Sequence, residues 1–259
     1  MGKKMARVNK LIEIIKSKNG ASVRELAALM DVSEMTIRRD LKILSENGIV
    51  TNAHGSTIYN PINHIEKLQE SYQLEWANEY QNAEKDRIGE FAATLVRDGE
   101  TIIIDTGSTT EALARYLSAP QYLQVVCYNA NILQTLLCKP NITPVFAGGY
   151  YHPNTQMFEC REGVQMIRNI RANKVFVSAA GIHETLGVTC ANDYEVLTKQ
   201  AVLESGAEKI LLVDSSKFSC VKPSYFAPLK GFDTVVTDTD LSEAWQARLE
   251  QENILLYMV

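Results

Sequence analysis

The chain has 259 residues, 46% of them hydrophobic, enough to build a sizeable core and to exclude wholesale disorder. No apolar run reaches the ~18 residues that span a bilayer, and the basic Met1–Arg7 segment leads into a polar amphipathic stretch, so a soluble cytoplasmic protein is expected. The net charge of −5 excludes nucleic acid only as an average: residues 1–56 carry ten Lys/Arg against six Asp/Glu, or +4, leaving −9 for the remainder. A basic head on an acidic body is expected where only the head meets phosphates.

In chain order, Val8, Leu11, Ile12 and Ile15 fall at helical spacing, and Asn19-Gly20 ends that helix. Ser22-Val-Arg-Glu25 is a capping box opening a short helix with Leu26 and Leu29 inward. Asp31-Val32 makes a tight turn. Ser33 caps a third helix that runs to about Asn47 and stops at Gly48. Ile49–Thr51 and Thr57–Tyr59 read as two short strands around Ala53-His54-Gly55. The order is that of a winged helix-turn-helix, assigned to residues 1–59. A polar connector, 60–84, begins at Asn60-Pro61.

From there to the C-terminus apolar strands alternate with helices. Strands are expected at 101–104, 124–127, 143–147, 174–179, 209–213 and 234–237. Helices are expected at 85–96, 110–117, 131–138, 194–204 and 243–250. That alternation predicts an α/β domain with a largely parallel sheet over residues 85–259.

On the third helix Ile37, Leu41 and Leu44 share the inward face. Met35, Arg39 and Lys42 lie opposite, with Thr36 and Arg38 on the flanks. Hydroxyls and guanidinium groups on one exposed helical face suit a major groove: Arg pairs with guanine, and Thr and Lys reach bases or phosphate. Ser22 and Ser33 at the helix starts and His54 in the wing complete the expected DNA-binding set. His54 reads equally as an exposed loop residue.

In the body, Thr101–Asp105 runs into Thr106-Gly-Ser-Thr-Thr110 and then a helix. A strand, a hydroxyl-rich turn with one glycine and a helix N-terminus make an anion site, and they equally make a capped helix with no ligand. Other strand ends carry similar features: Asn129, Gly148-Gly149, Ser178 with Gly181, and Asp214-Ser-Ser-Lys217. In parallel sheets such loops converge on a ligand. Lys217 can neutralise a phosphate; Asp105 and Glu195 can accept sugar hydroxyls. The five cysteines are scattered with no C-x-x-C pair, and neither metal nor cofactor is expected.

Ser33-Glu-Met-Thr-Ile-Arg-Arg-Asp-Leu41, followed by Asn47-Gly48-Ile49 and His54-Gly55, resembles the DeoR family of bacterial transcriptional repressors. Asp105-Thr-Gly-Ser-Thr-Thr110 is similar to that family's phosphate loop, with Ser108 where threonine is usual, and Asp214–Phe218 matches another family landmark. The wing departs from the pattern: Thr51-Asn52-Ala53 stands where an arginine is usual, and Ser56 replaces a second glycine. The resemblance covers nearly the whole chain. It implies an effector domain related to ribose-phosphate isomerase and CoA transferase folds that senses sugar phosphates. Val126–Asn129, Ser178–His183, Gly187–Cys190 and Lys222-Pro223 look closer to members whose effector is deoxyribose 5-phosphate.

The expected function is thus a homo-oligomeric (dimer or tetramer) repressor of a sugar or nucleoside catabolic operon. It binds double-stranded operator DNA and is released by a phosphorylated sugar. A sugar-phosphate isomerase-like enzyme with an appended winged helix, and a protein-interaction winged helix, are the competing readings.

Overall fold

The computed structural model describes residues 7, 10–12, 14, 15, 18, 21–46, 50–53, 56–59, 82–118 and 122–259. In the head, Leu11, Ile12, Ile14 and Ile15 are helical, and Leu11 and Ile15 are buried. Strand β1 (Ala21–Ser22) passes directly into α1 (Val23–Met30). Ser22 Oγ accepts from Glu25 N at 3.2 Å, and Ser22 N donates to Glu25 Oε2 at 2.8 Å, closing the expected capping box. Asp31, in left-handed geometry at φ +51°, ends α1. Helix α2 (Glu34–Glu46) starts behind Ser33, whose Oγ accepts from Thr36 N at 3.2 Å.

Strands β2 (Val50–Ala53) and β3 (Ser56–Tyr59) form the wing hairpin, and β1 pairs with β3, giving the order β1-β3-β2. The wing is therefore three-stranded rather than two-stranded, because a two-residue strand leaves no periodicity to read. Leu11, Ile15, Leu26, Ile37, Leu41, Leu44 and Val50 share one hydrophobic cluster, which also takes in Leu186 and Val221 from the body.

The body opens with α3 (Asn82–Thr94), β4 (Thr101–Ile104), α4 (Ser108–Tyr116), β5 (Leu123–Cys127), α5 (Ala130–Leu137) and β6 (Ile142–Phe146). After a small hairpin, β7 (Tyr150–His152) with β8 (Met157–Glu159), come α6 (Arg161–Asn169) and β9 (Ala172–Ser178). Next are β10 (Gly181–His183), β11 (Gly187–Cys190), α7 (Val196–Ser205), β12 (Gly206–Leu212) and β13 (Ser224–Ala227). β14 (Thr234–Thr237), α8 (Glu243–Gln251) and β15 (Leu255–Met258) complete the chain.

Seven strands form one sheet in the order β15-β14-β12-β9-β4-β5-β6, and every ladder in it is parallel. Ile88, Leu113 and Leu136 carry α3, α4 and α5 onto one face, against Ile102, Ile104 and Phe176. Ile167, Val202 and Leu249 carry α6, α7 and α8 onto the other, against Ile103, Val175 and Leu211. Both faces are covered, which is why the central strands read as continuous apolar runs rather than alternating ones. The chain winds from β4 out to β6, crosses back to β9 beside β4, and winds out the other way to β15. The C-terminal ends of β4 and β9 thus flank the crevice where strand order reverses.

All six expected strands are in this sheet. Strand β15 and the short antiparallel pieces (β7 with β8, and β10-β11-β13) were not read from sequence, because segments of three or four residues carry little periodic signal; the nine-residue α6, with Val164 and Ile167 inward, did carry one and was missed.

Candidate functional site

On the head, Met35, Arg38, Arg39 and Lys42 are exposed on α2, Met35 at 75%, while Ile37 and Leu41 are buried behind them. Arg38 lies 3.6 Å from Glu34, a solvated pair that constrains it little. Asp40, on the buried side, receives Arg7 Nε at 2.8 Å and ties the helix to the N-terminal segment. These side chains thus stand on the exposed side of α2. Ser22 and Ser33 are spent on their helix starts: Ser22 Oγ also meets Glu25 Oε2 at 2.8 Å, and Ser33 Oγ lies 2.9 Å from Thr36 Oγ1. His54 lies outside the described residues.

In the body, β4 delivers Asp105 and Thr106 to the crevice and β9 delivers Ser178. A small cavity of about 20 Å³, room for about one water, lies there, lined by Thr106, Ser178, Ala179, Ala180, Ala191, Glu195 and Lys199. Asp105 is 0% exposed. Its Oδ2 meets Lys199 Nζ at 2.5 Å and accepts from Ser178 N at 2.9 Å, while its Oδ1 accepts from the Tyr128 hydroxyl. This carboxylate is thus fully engaged by protein and holds Lys199, rather than facing a sugar as sequence suggested.

Lys199, 1% exposed, also donates to Ser178 O at 3.1 Å and lies 3.8 Å from Glu195 Oε2. Burial alone would lower its pKa. The Asp105 and Glu195 carboxylates outweigh that and hold it above the ordinary lysine range, so it stays a cation. Burial raises the Glu195 pKa, with Lys199 opposing. Glu195 Oε1 accepts from Asn192 N at 3.1 Å and Asn192 Nδ2 at 2.8 Å.

The turn after β4 needs its glycine. Gly107 has φ +146°, and a side chain there would collide with Ser178 Oγ. Ser178 Oγ itself donates to Thr106 O. Gly107 is the N-cap of α4 and no side chain caps that helix, so the N–H groups of Ser108 and Thr109 lack the intrahelical and capping partners that most helix starts find. The Thr110 hydroxyl turns inward, donating to Asp105 O at 2.7 Å and Gly107 O at 2.9 Å, which withdraws it from the expected ligand set. Ser108 and Thr109 are buried at the same helix start.

Asn129 Nδ2 donates to Thr106 Oγ1 at 2.8 Å and Thr155 O at 3.0 Å, leaving its buried Oδ1 without a partner among the described residues. The β7–β8 turn is latched over this corner: Thr155 Oγ1 lies 3.1 Å from Tyr194 Oη, Tyr194 Oη donates to Asn154 Oδ1 at 2.9 Å, and His152 stacks on the Tyr194 ring at 3.6 Å.

Of the expected glycines, Gly149 and Gly181 serve packing, whereas a Cβ on Gly148 would meet nothing closer than 3.9 Å. A Cβ on Gly149 would strike Glu159 O, Gly148 O lies 3.1 Å from where Gly163 would carry a Cβ, and a Cβ on Gly181 would sit 2.8 Å from Cys220 O. Lys217 lies on the 3-10 turn after β12, 3.6 Å from Asp214 Oδ2 and 3.3 Å from Ser216 Oγ.

Sequence reasoning missed Lys199, Tyr128, Asn192 and Lys85. Lys199 carried a signal: Glu195 and Lys199 stand four apart, at the spacing of a helical ion pair. Lys85 is buried in the first turn of α3, its pKa pushed down to about 8 by burial, with Asp214 opposing and Lys217 adding to the shift. Helices α3 and α4 both descend from the C-terminal edge of the sheet. A Cβ on Gly89 would lie 2.6 Å from Ala112 Cβ. Lys85 and Ser108, each four residues earlier on helices that run the same way, therefore lie at about the same level.

Comparison with known proteins agrees with this layout. Residues 7–62 match the DeoR-like helix-turn-helix domain, and residues 80–239 match the DeoR C terminal sensor domain. The chain belongs to the DeoR family of transcriptional repressors, with a DNA-binding head and a sensor body. It is 32% identical to the deoxyribose operon repressor of Escherichia coli K12 over 90% of this chain and 89% of that one. It is 30% identical to the transcriptional regulator GolR of Listeria innocua over 96% of each. Among solved structures, eIF2B beta from Chaetomium thermophilum aligns with TM-score 0.45 at 15% identity, over 90% of this chain and 77% of that one. Ribose 5-phosphate isomerase A from Methanocaldococcus jannaschii aligns with TM-score 0.39 at 19% identity, over 52% and 53%. No helix among the described residues is long and apolar enough to cross a membrane.

Proposed function

We propose that this chain represses a sugar or nucleoside catabolic operon and leaves its operator when a phosphorylated sugar, deoxyribose 5-phosphate, widens and fills the small cleft between β4 and β9. The uncapped start of α4 carries this reading: free N–H groups at a helix N-terminus beside Ser108 and Thr109 favour an anion. Lys217, with Lys85 at the level of Ser108, supplies the nearby positive charge. The protonated Lys199, Glu195 and the unpaired Asn129 Oδ1 are suited to the polar groups of a sugar. The similarity to the deoxyribose operon repressor favours deoxyribose over other sugars. The head works as one half of an oligomer, since a single recognition helix covers too little DNA for tight specific binding.

The test is an operator mobility-shift titration with deoxyribose 5-phosphate, ribose 5-phosphate and unphosphorylated deoxyribose. Release by the first at the lowest concentration is expected; release by none of the phosphorylated sugars overturns the proposal. Full-length chain sedimenting as a monomer at micromolar concentration counts against the oligomer. An isomerase-like reading draws on one observation, the buried Glu195 with its raised pKa, a property of general acids. Turnover of pentose phosphates would establish it.

A further inference from the structure

We propose that the β10–β11 hairpin transmits effector binding to the head, because its base is wall of the cleft and its tip is core of the winged helix. This rests on the reading that the cleft binds the effector. Strand β9 ends at Ser178; Ala179 and Ala180 continue the cleft wall, and the hairpin begins at Gly181. It returns through β11 to Cys190, and Ala191 is cleft wall again. Anything that spreads or closes the cleft at these alanines moves both feet of the hairpin.

The hairpin is built to carry that movement without bending. Gly181 pairs with Thr189, Ile182 with Val188 and His183 with Gly187, and Ala180 N donates to Thr189 O at 2.9 Å. Strand β11 pairs again with β13, and Ile182 bridges to Phe218, so the hairpin is held on both sides. Ile182 and Val188 are fully buried. The tip is tight: Thr185 N lies 3.2 Å from His183 Nδ1, and Gly187 takes φ +77°, which a side chain would strain.

Leu186, at that tip, and Val221 are both buried in the hydrophobic cluster of the head together with Leu26, Ile37 and Leu41. Val221 follows Cys220, whose carbonyl presses on Gly181, so the second contact is also fixed to the hairpin's foot. Ile37 and Leu41 are the inward side of α2, the helix whose outward side carries Arg38 and Arg39. A shift of Leu186 therefore acts on the seat of the groove-reading helix. Packed apolar contacts of this kind have discrete arrangements rather than a continuous range, which gives the two-state element that coupling requires. Coupling is reciprocal: if effector weakens operator binding, operator weakens effector binding by the same factor.

Two measurements on the full chain test this. The first compares the parent with Leu186→Ser and the conservative Leu186→Met. Leu186→Ser is expected to bind operator, and to bind deoxyribose 5-phosphate by calorimetry within a few-fold of the parent, while needing at least tenfold more of it for release. Leu186→Met should behave as the parent. Release of Leu186→Ser at the parental concentration overturns the proposal. The second is hydrogen exchange of residues 179–191 with and without operator DNA and no sugar added. Operator is expected to slow exchange in this segment at least threefold, and unchanged exchange overturns the proposal. Because this measurement needs no sugar, a cleft that binds some other effector is told apart from a hairpin that carries no signal.

Discussion

The two halves of the molecule present their chemistry in opposite ways. On the head, Arg38, Arg39 and Lys42 stand in solvent on α2, and only the inward side of that helix is constrained. In the body, Asp105, Lys199 and Glu195 are buried at strand and helix ends, each fixed by named partners. A surface that meets DNA must keep its charges free to reach phosphates and base edges. A cleft that discriminates one small molecule must hold its charges in place before the ligand arrives. Substitutions should consequently cost binding in the head but fold in the body.

The largest contrast is expected at Lys199. Lys199→Met leaves Asp105 buried without its cation, which typically costs ~3–5 kcal/mol. Urea unfolding should show that loss, whereas Arg39→Ala should stay within about 0.5 kcal/mol of the parent. Equal stability of the two variants would erase the distinction.

Next comes Ser108→Asp, which sharpens the comparison by separating the two activities. Its carboxylate sits at a helix start that favours negative charge, so the fold should accept it. Like charges ~4 Å apart at an effective dielectric near 20 repel by ~4 kcal/mol, and half of that weakens a ligand more than tenfold. Operator affinity without sugar should be parental, with release shifted beyond tenfold; a mobility-shift titration reads both.

In the head, Arg38→Ala and Arg39→Ala should each cost about 1–3 kcal/mol of operator affinity where the side chain reads a base. Where it holds a phosphate instead, the salt dependence should fall by about one unit of slope. A folded double variant that binds as the parent would remove α2 from the interface.

The smallest effect concerns Lys85. With its pKa near 8, it is a cation below that pH and neutral above. A phosphate bound beside it raises that pKa, so binding takes up a proton and should weaken as pH climbs from about 8 towards 10. Calorimetry across that range should show the decline in the parent and a flatter profile in Lys85→Met.

The same contrast governs what could be read in the sequence. In the head, capping residues and the apolar spacing of Ile37, Leu41 and Leu44 are local, and local signals survive in one dimension. The parallel strands were equally plain because burial on both faces makes them uniformly apolar. The body's site was half legible. The loop 105–110 announced itself by its glycine and hydroxyls, but the inward turn of Thr110 and the capture of Asp105 depend on residues far along the chain. Asn129 stands 23 residues from Thr106, and Ser178 stands 73 from Asp105. No spacing rule links them. Lys85 was passed over because a lysine at a helix start reads as solvated until the sheet behind it is known.

The Asp105–Lys199 pair spans 94 positions, and this bears on how the molecule is made. The β4 segment is synthesised long before Lys199, so a growing chain holds a carboxylate destined for the interior with no cation yet to neutralise it. Closing so long a loop has an entropic cost, and contacts of this separation form slowly. Until they form, collapse around β4 must bury an unpaired charge, which disfavours compact intermediates that dock the wrong helix at that strand end. The centre of the sheet thus gains its full stability only with α7 and Lys199 in place.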